Sequence, residues 1–385
     1  MKVSQRGSVP PFYVMEVMKA AAEREAEGKR VLHLEVGQPS SAAPALVREA
    51  AAKAVTDERL GYTDALGIPE LRQRIARHYR DYYGVKLPSD RIVVTTGSSG
   101  AFLLSFLAAF SGGDRVALAE PGYPAYRNIL TALDIEAVGV PTGMETRFQP
   151  TPDLLRQVPG RLDGLLVASP ANPTGTMLDG EALRQLISYC DEQDMHLIAD
   201  EIYHGITYEG RAVTAAALSD RVIVINSFSK FFSMTGWRLG WMIVPPELAR
   251  SVECLAQNMF ISPPAPSQHA AVVAFDAMDE VDENIARYTA NRELLLAELP
   301  KAGLTRLAPA DGAFYIYADV SEFTEDSVQL CHDMLNELGI AATPGIDFDP
   351  HRGKQYVRFS FAGSTEDMAE AAHLLAGWLP ARRKN

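Results

Sequence analysis

The sequence predicts an α/β protein: a large domain built on a mainly parallel central sheet, beside a smaller α+β domain assembled from both chain ends. Three observations carry that expectation. Between Ile92 and Val244, short β-rich runs alternate with longer helical patterns, the signature of βαβ units. Most of those runs are apolar almost throughout, as strands covered on both faces are. The chain has 385 residues, 47% hydrophobic and 22% charged, long enough for a large domain plus a smaller one.

Taken in order, the first residues enter a helix through Pro10 and Pro11, close it near Gly28 and continue into the strand VLHLEV, which ends at Gly37. The central region then runs RIVVTT, the helix SGAFLLSFLAAF, RVALAE, the helix PAYRNILTAL and IEAVGV. It continues through LDGLLVAS, the helix DGEALRQLISYCDEQ, MHLIAD, RVIVIN and LGWMIV. After roughly Asp282 come the long helix NIARYTANRELLLAEL, the strands AFYIYAD and QYVRFSF, and closing helices. Residues 1–44 and 286–385 are assigned to the smaller domain and 45–285 to the larger. No internal repeat or low-complexity tract interrupts the pattern.

Composition removes several classes of function. A formal net charge of −13 argues against a nucleic-acid partner, which would need clustered Lys and Arg, and fits a role in solubility. Cys190, Cys254 and Cys331 are far apart and odd in number, so neither a disulfide framework nor a zinc site is expected; a reducing cytoplasm is. The N-terminus carries no signal-peptide apolar region. The run AFLLSFLAAF, from Ala101 to Phe110, is about half of what a bilayer-spanning helix needs and reads as a core helix.

Open α/β sheets bind ligands beyond the carboxyl ends of their strands. After IVVTT comes Gly97-Ser98-Ser99-Gly100, opening a helix; after LLVAS comes Pro170-Ala171-Asn172-Pro173-Thr174-Gly175. After HLIA comes Asp200-Glu201-Ile202-Tyr203, and after VIVIN comes Ser227-Phe228-Ser229-Lys230. Four such sites point to one crevice. The Ser/Gly turn offers N–H groups and hydroxyls at a helix N-terminus, suited to an anion, although capping is the commoner use of such residues. It lacks the GxGxxG spacing of a dinucleotide site. A lone strand-end Asp is most often a helix cap, and a lone Lys most often keeps its ammonium in water. The combination changes the weighing: an anion turn, a strand-end acid, a strand-end lysine and Arg238 together meet the needs of pyridoxal phosphate for a phosphate site, an amine for the aldehyde and an acid for the pyridinium.

Ser227-Phe228-Ser229-Lys230 followed by Gly236-Trp237-Arg238-Leu239-Gly240 resembles the lysine motif of the class I/II pyridoxal-phosphate aminotransferases of fold type I. The resemblance extends through EVGQPS, GYTDALGIPELR, TTGSSGAF, EPGYPAYRN, SPANPTG, ADEIY and YVRFSFA. It implies that Lys230 binds the cofactor aldehyde and shuttles the proton from Cα, and that Asp200 pairs with the ring nitrogen. Tyr203 and Asn172 would hydrogen-bond the ring oxygen, and Tyr123 would stack on the ring. Ser98, Ser99, Gly100, Ser227, Ser229 and Arg238 would hold the phosphate. Tyr62 would reach the cofactor of a second subunit, making the protein a homodimer with shared sites. Arg358 would clamp the substrate carboxylate, with a Gly37 N–H beside it and Asn172 also contacting the substrate.

The implied reaction moves an amino group between an L-amino acid and a 2-oxo acid by a ping-pong mechanism through aldimine and pyridoxamine forms. Within the family, some aspartate-using members carry a lysine where this chain has Ser99. A neutral or aromatic amino acid is the preferred expectation, with Phe12, Tyr13 and Gln38 lining the pocket. A carbon–sulfur lyase on the same scaffold is the alternative, and an amino-acid sensor a further one. The sensor would need a DNA-binding segment, whereas this chain begins in small-domain sequence.

Overall fold

A computed structural model describes residues 2–384. Among the described residues are eleven strands: β1 (Leu32–Leu34), β2 (Ile92–Thr95), β3 (Arg115–Glu120), β4 (Glu136–Pro141), β5 (Gly164–Ala168), β6 (His196–Asp200), β7 (Ile223–Ser227), β8 (Gly240–Ile243), β9 (Tyr315–Asp319), β10 (Ile340–Pro344) and β11 (Tyr356–Ser360). They form a seven-stranded sheet in the order β2-β8-β7-β6-β5-β3-β4 and a four-stranded sheet in the order β1-β10-β11-β9. In the larger sheet β4, β3, β5, β6 and β7 run parallel, and β8 is antiparallel to both of its neighbours.

β10 was not expected from the sequence. It reads IAATP, two alanines and a terminal proline with little β-propensity, yet all five residues are buried between β1 and β11. Its partners supply what its composition lacks, and Pro344 is tolerated as the last residue of the strand.

The elements that carry the crevice are set by simple packing. In the larger sheet β5, β6 and β7 are adjacent and parallel, with Ala168 in register with Asp200 and Asp200 with Ile225, so their carboxyl ends finish side by side. Beneath the turn after β7, Phe228 and Phe232 are buried against Trp241 and Phe275, with ring centroids 4.8 Å apart for Phe228 and Trp241 and 4.9 Å apart for Phe232 and Phe275. Burying each of these rings contributes about 1.5–3 kcal/mol. The two phenylalanines flank Lys230 in sequence and anchor the turn that displays it.

Candidate active site

The lysine turn is closed by its own hydroxyls: the Ser229 N–H donates to Ser227 Oγ at 3.0 Å, and Ser227 Oγ lies 2.9 Å from Ser229 Oγ. Lys230 emerges half-buried and donates from Nζ to the Gly37 carbonyl at 2.6 Å, which ties the end of the larger sheet to the chain leaving β1. Burial, reinforced by the charges of Arg358 and Arg238 and opposed by Asp200, lowers this ammonium to about 8. An amine that deprotonates near neutrality is available as a nucleophile and as a base.

Asp200, 2% exposed at the end of β6, accepts from the Tyr126 hydroxyl and from the Ile202 N–H at 3.0 Å. Burial raises its carboxyl to about 6, while Tyr126, the Ile202 N–H and Lys230 pull the other way. Tyr126 was missed by the sequence reading, although it lies one turn after Tyr123 in the same helix start, Pro124–Ala132. Tyr123 packs edge-on against Tyr126, with centroids 5.2 Å apart, and against Phe12 at 5.8 Å.

At the opposite end of the crevice, the helix Gly97–Ala109 begins directly after β2, so the N–H groups of Ser98, Ser99 and Gly100 belong to its first turn. Gly97 has φ +71°, and a Cβ built there would fall 2.5 Å from Nη2 of Arg238. The exposed Arg238 thus lies against the helix start, with Nη1 donating to the Thr235 carbonyl at 3.1 Å. A Cβ on Gly240 would meet the Ser98 nitrogen at 3.0 Å. Glycine at both positions lets the Arg238 guanidinium and the start of β8 approach the first N–H groups of the helix closely, an arrangement of donors suited to an anion.

Arg358, on β11, is buried at 3% exposure. Its Nη1 donates to Asn172 Oδ1 at 2.8 Å, and its Nη2 donates to the Glu35 carbonyl and, at 3.2 Å, to Thr343 Oγ1. Its guanidinium sits 4.4 Å over the Tyr315 ring and 4.8 Å over the Phe348 ring. Nε is buried without a hydrogen-bond partner, and every acceptor the side chain does have is neutral. A buried cation held by neutral groups leaves room for a carboxylate. Tyr203 is buried with its hydroxyl 2.6 Å from that of Tyr315, and Lys230 Nζ lies 5.8 Å from its ring centroid.

The sequence-predicted residues therefore gather, with exceptions. Tyr62 stands 85% exposed, outside the crevice of its own chain. Phe12 joins the aromatic wall, whereas Tyr13 enters through its N–H, which donates to Asp347, and Gln38 is exposed. Besides Tyr126, the sequence reading missed Tyr315, Thr343 and the Glu35 carbonyl. Tyr315 opens β9 within the run AFYIYAD, where an aromatic reads as core.

A strand-end lysine, a strand-end acid and a buried arginine line one crevice between the two sheets, and comparison with known proteins gives the family of the chain that carries them. The model of the aminotransferase class I and II family matches residues 29–375, and the chain belongs to that family. It is an aminotransferase of fold type I, from a family that is generally pyridoxal-phosphate-dependent. A valine–pyruvate aminotransferase of Mycobacterium tuberculosis is 53% identical, with 99% of each chain covered. The crystal structure of an aminotransferase from Mycobacterium tuberculosis superposes with a TM-score of 0.97 at 53% identity, covering 99% of this chain and 100% of that one. The aspartate aminotransferase of Thermus thermophilus with maleate superposes with a TM-score of 0.92 at 30% identity, covering 98% and 99%.

Proposed function

We propose that this protein transfers the amino group of a neutral L-amino acid to a 2-oxo acid, using pyridoxal 5'-phosphate held by the crevice residues. The observation that carries the reading is Arg358, a buried guanidinium with an unpartnered Nε and only neutral acceptors, on the same crevice as Lys230. The residues fit the cofactor. Ser98, Ser99, Gly100, Ser227, Ser229 and Arg238 would hold its phosphate, Asp200 its ring nitrogen, Tyr203 and Asn172 its ring oxygen, and Tyr123 its ring face. When bound, it supplies an aldehyde that takes up amino groups and a ring that accepts the electrons left at Cα.

The chain's own residues then do the rest. Arg358 fixes the substrate carboxylate by two parallel hydrogen bonds, with Asn172 and Gly37 beside it, and so orients the Cα–H bond. Lys230 Nζ removes the Cα proton and returns it on the other side of the transfer, a base whose lowered proton affinity suits neutral pH. Asp200 keeps the proton on the ring nitrogen; a carboxyl raised to about 6 in the free site ionises readily beside a cation. The name of the 53%-identical relative makes valine with pyruvate the first pair to test. The absence of a lysine at Ser99 agrees with a neutral side chain. A homodimer, in which exposed Tyr62 would reach the partner's cofactor, and a cytoplasmic setting complete the reading.

The test adds candidate amino acids to the cofactor-loaded protein and identifies the products. A pyridoxamine-form protein with the matching 2-oxo acid is expected. Ammonia with pyruvate would instead mark a lyase, and no turnover of any amino acid a sensor. Lys230→Ala is expected to abolish turnover while retaining non-covalent cofactor; full activity in that variant would sink the assignment.

A further inference from the structure

We infer that Tyr315 is a positioning residue that joins the carboxylate-clamping arginine to the cofactor-facing tyrosine, presenting its ring face to Arg358 and its hydroxyl to Tyr203. The inference rests on the function proposed for the crevice. Tyr315 opens β9 and is 1% exposed. Its hydroxyl lies 2.6 Å from that of Tyr203, a residue 112 positions away in the chain. The two rings meet edge to face, with centroids 5.6 Å apart at 80°. The Arg358 guanidinium rests 4.4 Å above the Tyr315 ring centroid. A Cβ built on Gly37 would fall 1.9 Å from the Tyr315 hydroxyl, so the backbone that accepts the Lys230 hydrogen bond is packed against the same oxygen.

One side chain thus touches three groups with separate roles. The physical consequences of its two ends differ. A phenol has one proton to donate, so once the Tyr203 proton is directed at the cofactor's ring oxygen, the bond between the phenols must be donated by Tyr315. A donated bond polarises the Tyr203 O–H and strengthens it as a donor. Burial keeps both phenols above the ordinary tyrosine range, and the charged or titratable groups facing them are Arg358, Tyr123 and, across Gly37, Lys230. The ring face acts on the arginine instead, because its π-cloud holds a guanidinium that has only neutral hydrogen-bond partners.

The experiment separates the two ends in the cofactor-loaded protein, with Tyr315→Phe keeping the ring and Tyr315→Met removing it. A weaker Tyr203 donor stabilises the deprotonated ring oxygen less. Tyr315→Phe is therefore expected to move the midpoint of the pH-dependent cofactor absorption upward by about half a unit to one unit. Its KM for the amino acid should stay within about twofold of the parent while kcat falls. Tyr315→Met is expected to show the same midpoint shift and, in addition, about tenfold weaker binding of the unreactive amino acid 2-methylalanine. A merely structural tyrosine would lower unfolding stability and leave the midpoint alone. An unchanged midpoint in Tyr315→Phe, or a KM raised by Phe as much as by Met, overturns the inference. Should Tyr315→Met fail to fold, the midpoint and KM of Tyr315→Phe decide alone. A parent protein with no pH-dependent absorption attributable to Lys230 would bring down the proposed function itself, which distinguishes that failure from this one.

Discussion

At the scale of single residues, charge burial explains most of what the crevice can do. Lys230 is a lysine whose ammonium has been made less favourable by desolvation and by two nearby cations, with a single carboxylate opposing. The sign of that shift gives a measurable consequence. Only the neutral amine attacks an aldehyde, so the rate at which cofactor-free protein takes up pyridoxal phosphate should climb with pH and level off near the lowered value, about 8. Stopped-flow absorbance across pH 6 to 10.5 checks this; a rate still rising towards the ordinary lysine value of 10.5 would show that Lys230 is not perturbed. Asp200 carries the opposite perturbation, because burial disfavours a carboxylate just as it disfavours an ammonium.

Sequence legibility also divides at this scale. Lys230, Asp200 and Asn172 could be read because each stands at the end of, or a few residues beyond, a recognisable apolar run, where backbone geometry alone puts it at the crevice, and Arg238 because it sits in a Gly-Trp-Arg-Leu-Gly frame directly before the run LGWMIV. Tyr126, Tyr315, Thr343 and the Glu35 carbonyl could not, since each acts through a partner far away in the chain. Tyr126 reaches Asp200 across 74 positions, and Arg358 reaches the Glu35 carbonyl across 323. Nothing local in AFYIYAD distinguishes Tyr315 from a tyrosine that merely packs.

At the scale of elements, the junction of β2 with the helix Gly97–Ala109 is a constrained piece of backbone. Gly97 holds a left-handed conformation at φ +71°, and any side chain there would drive into Arg238. Gly97→Ala should therefore cost about 1–2 kcal/mol from the backbone alone. Displacing Arg238 should also weaken cofactor binding by about tenfold or more. Gly236→Ala is the matched control, because nothing lies within 4 Å of its added Cβ. Urea unfolding of the cofactor-free proteins and cofactor titration check the pair; equal behaviour of the two variants would mean that the cradle does not depend on Gly97. Strand β10 shows the complementary case. Its sequence, IAATP, lacks apolar–polar alternation and carries two alanines and a proline, and it is held by neighbours on both edges.

At the scale of the whole molecule, the site is shared between two sheets. Asp200 ends a strand of the seven-stranded sheet and Lys230 and Asn172 follow others, whereas Arg358 lies on β11 of the four-stranded one and Gly37 follows its β1. A substrate held by its carboxylate at one side and its amino group at the other should draw the two together. Small-angle scattering is expected to show a particle of twice the 42.0 kDa chain, contracting when 2-methylalanine is added to the loaded protein. Superimposable profiles with and without the ligand would argue against closure, and a monomer mass against the shared site.

The two-sheet architecture has a further consequence for how such a protein can diverge. The groups proposed to face the cofactor stand at the carboxyl ends of three adjacent parallel strands, β5, β6 and β7, whose registers fix one another. The first α-helix, from Tyr13 to Ala26, lies outside these strands, yet Phe12 at its N-cap reaches the aromatic wall. Substitutions in this entering segment can reshape the space for a side chain without disturbing the reaction machinery. Relatives named for valine and for aspartate on one scaffold are what such an arrangement permits: a fixed chemistry inherited whole, with its choice of amino acid left free to drift.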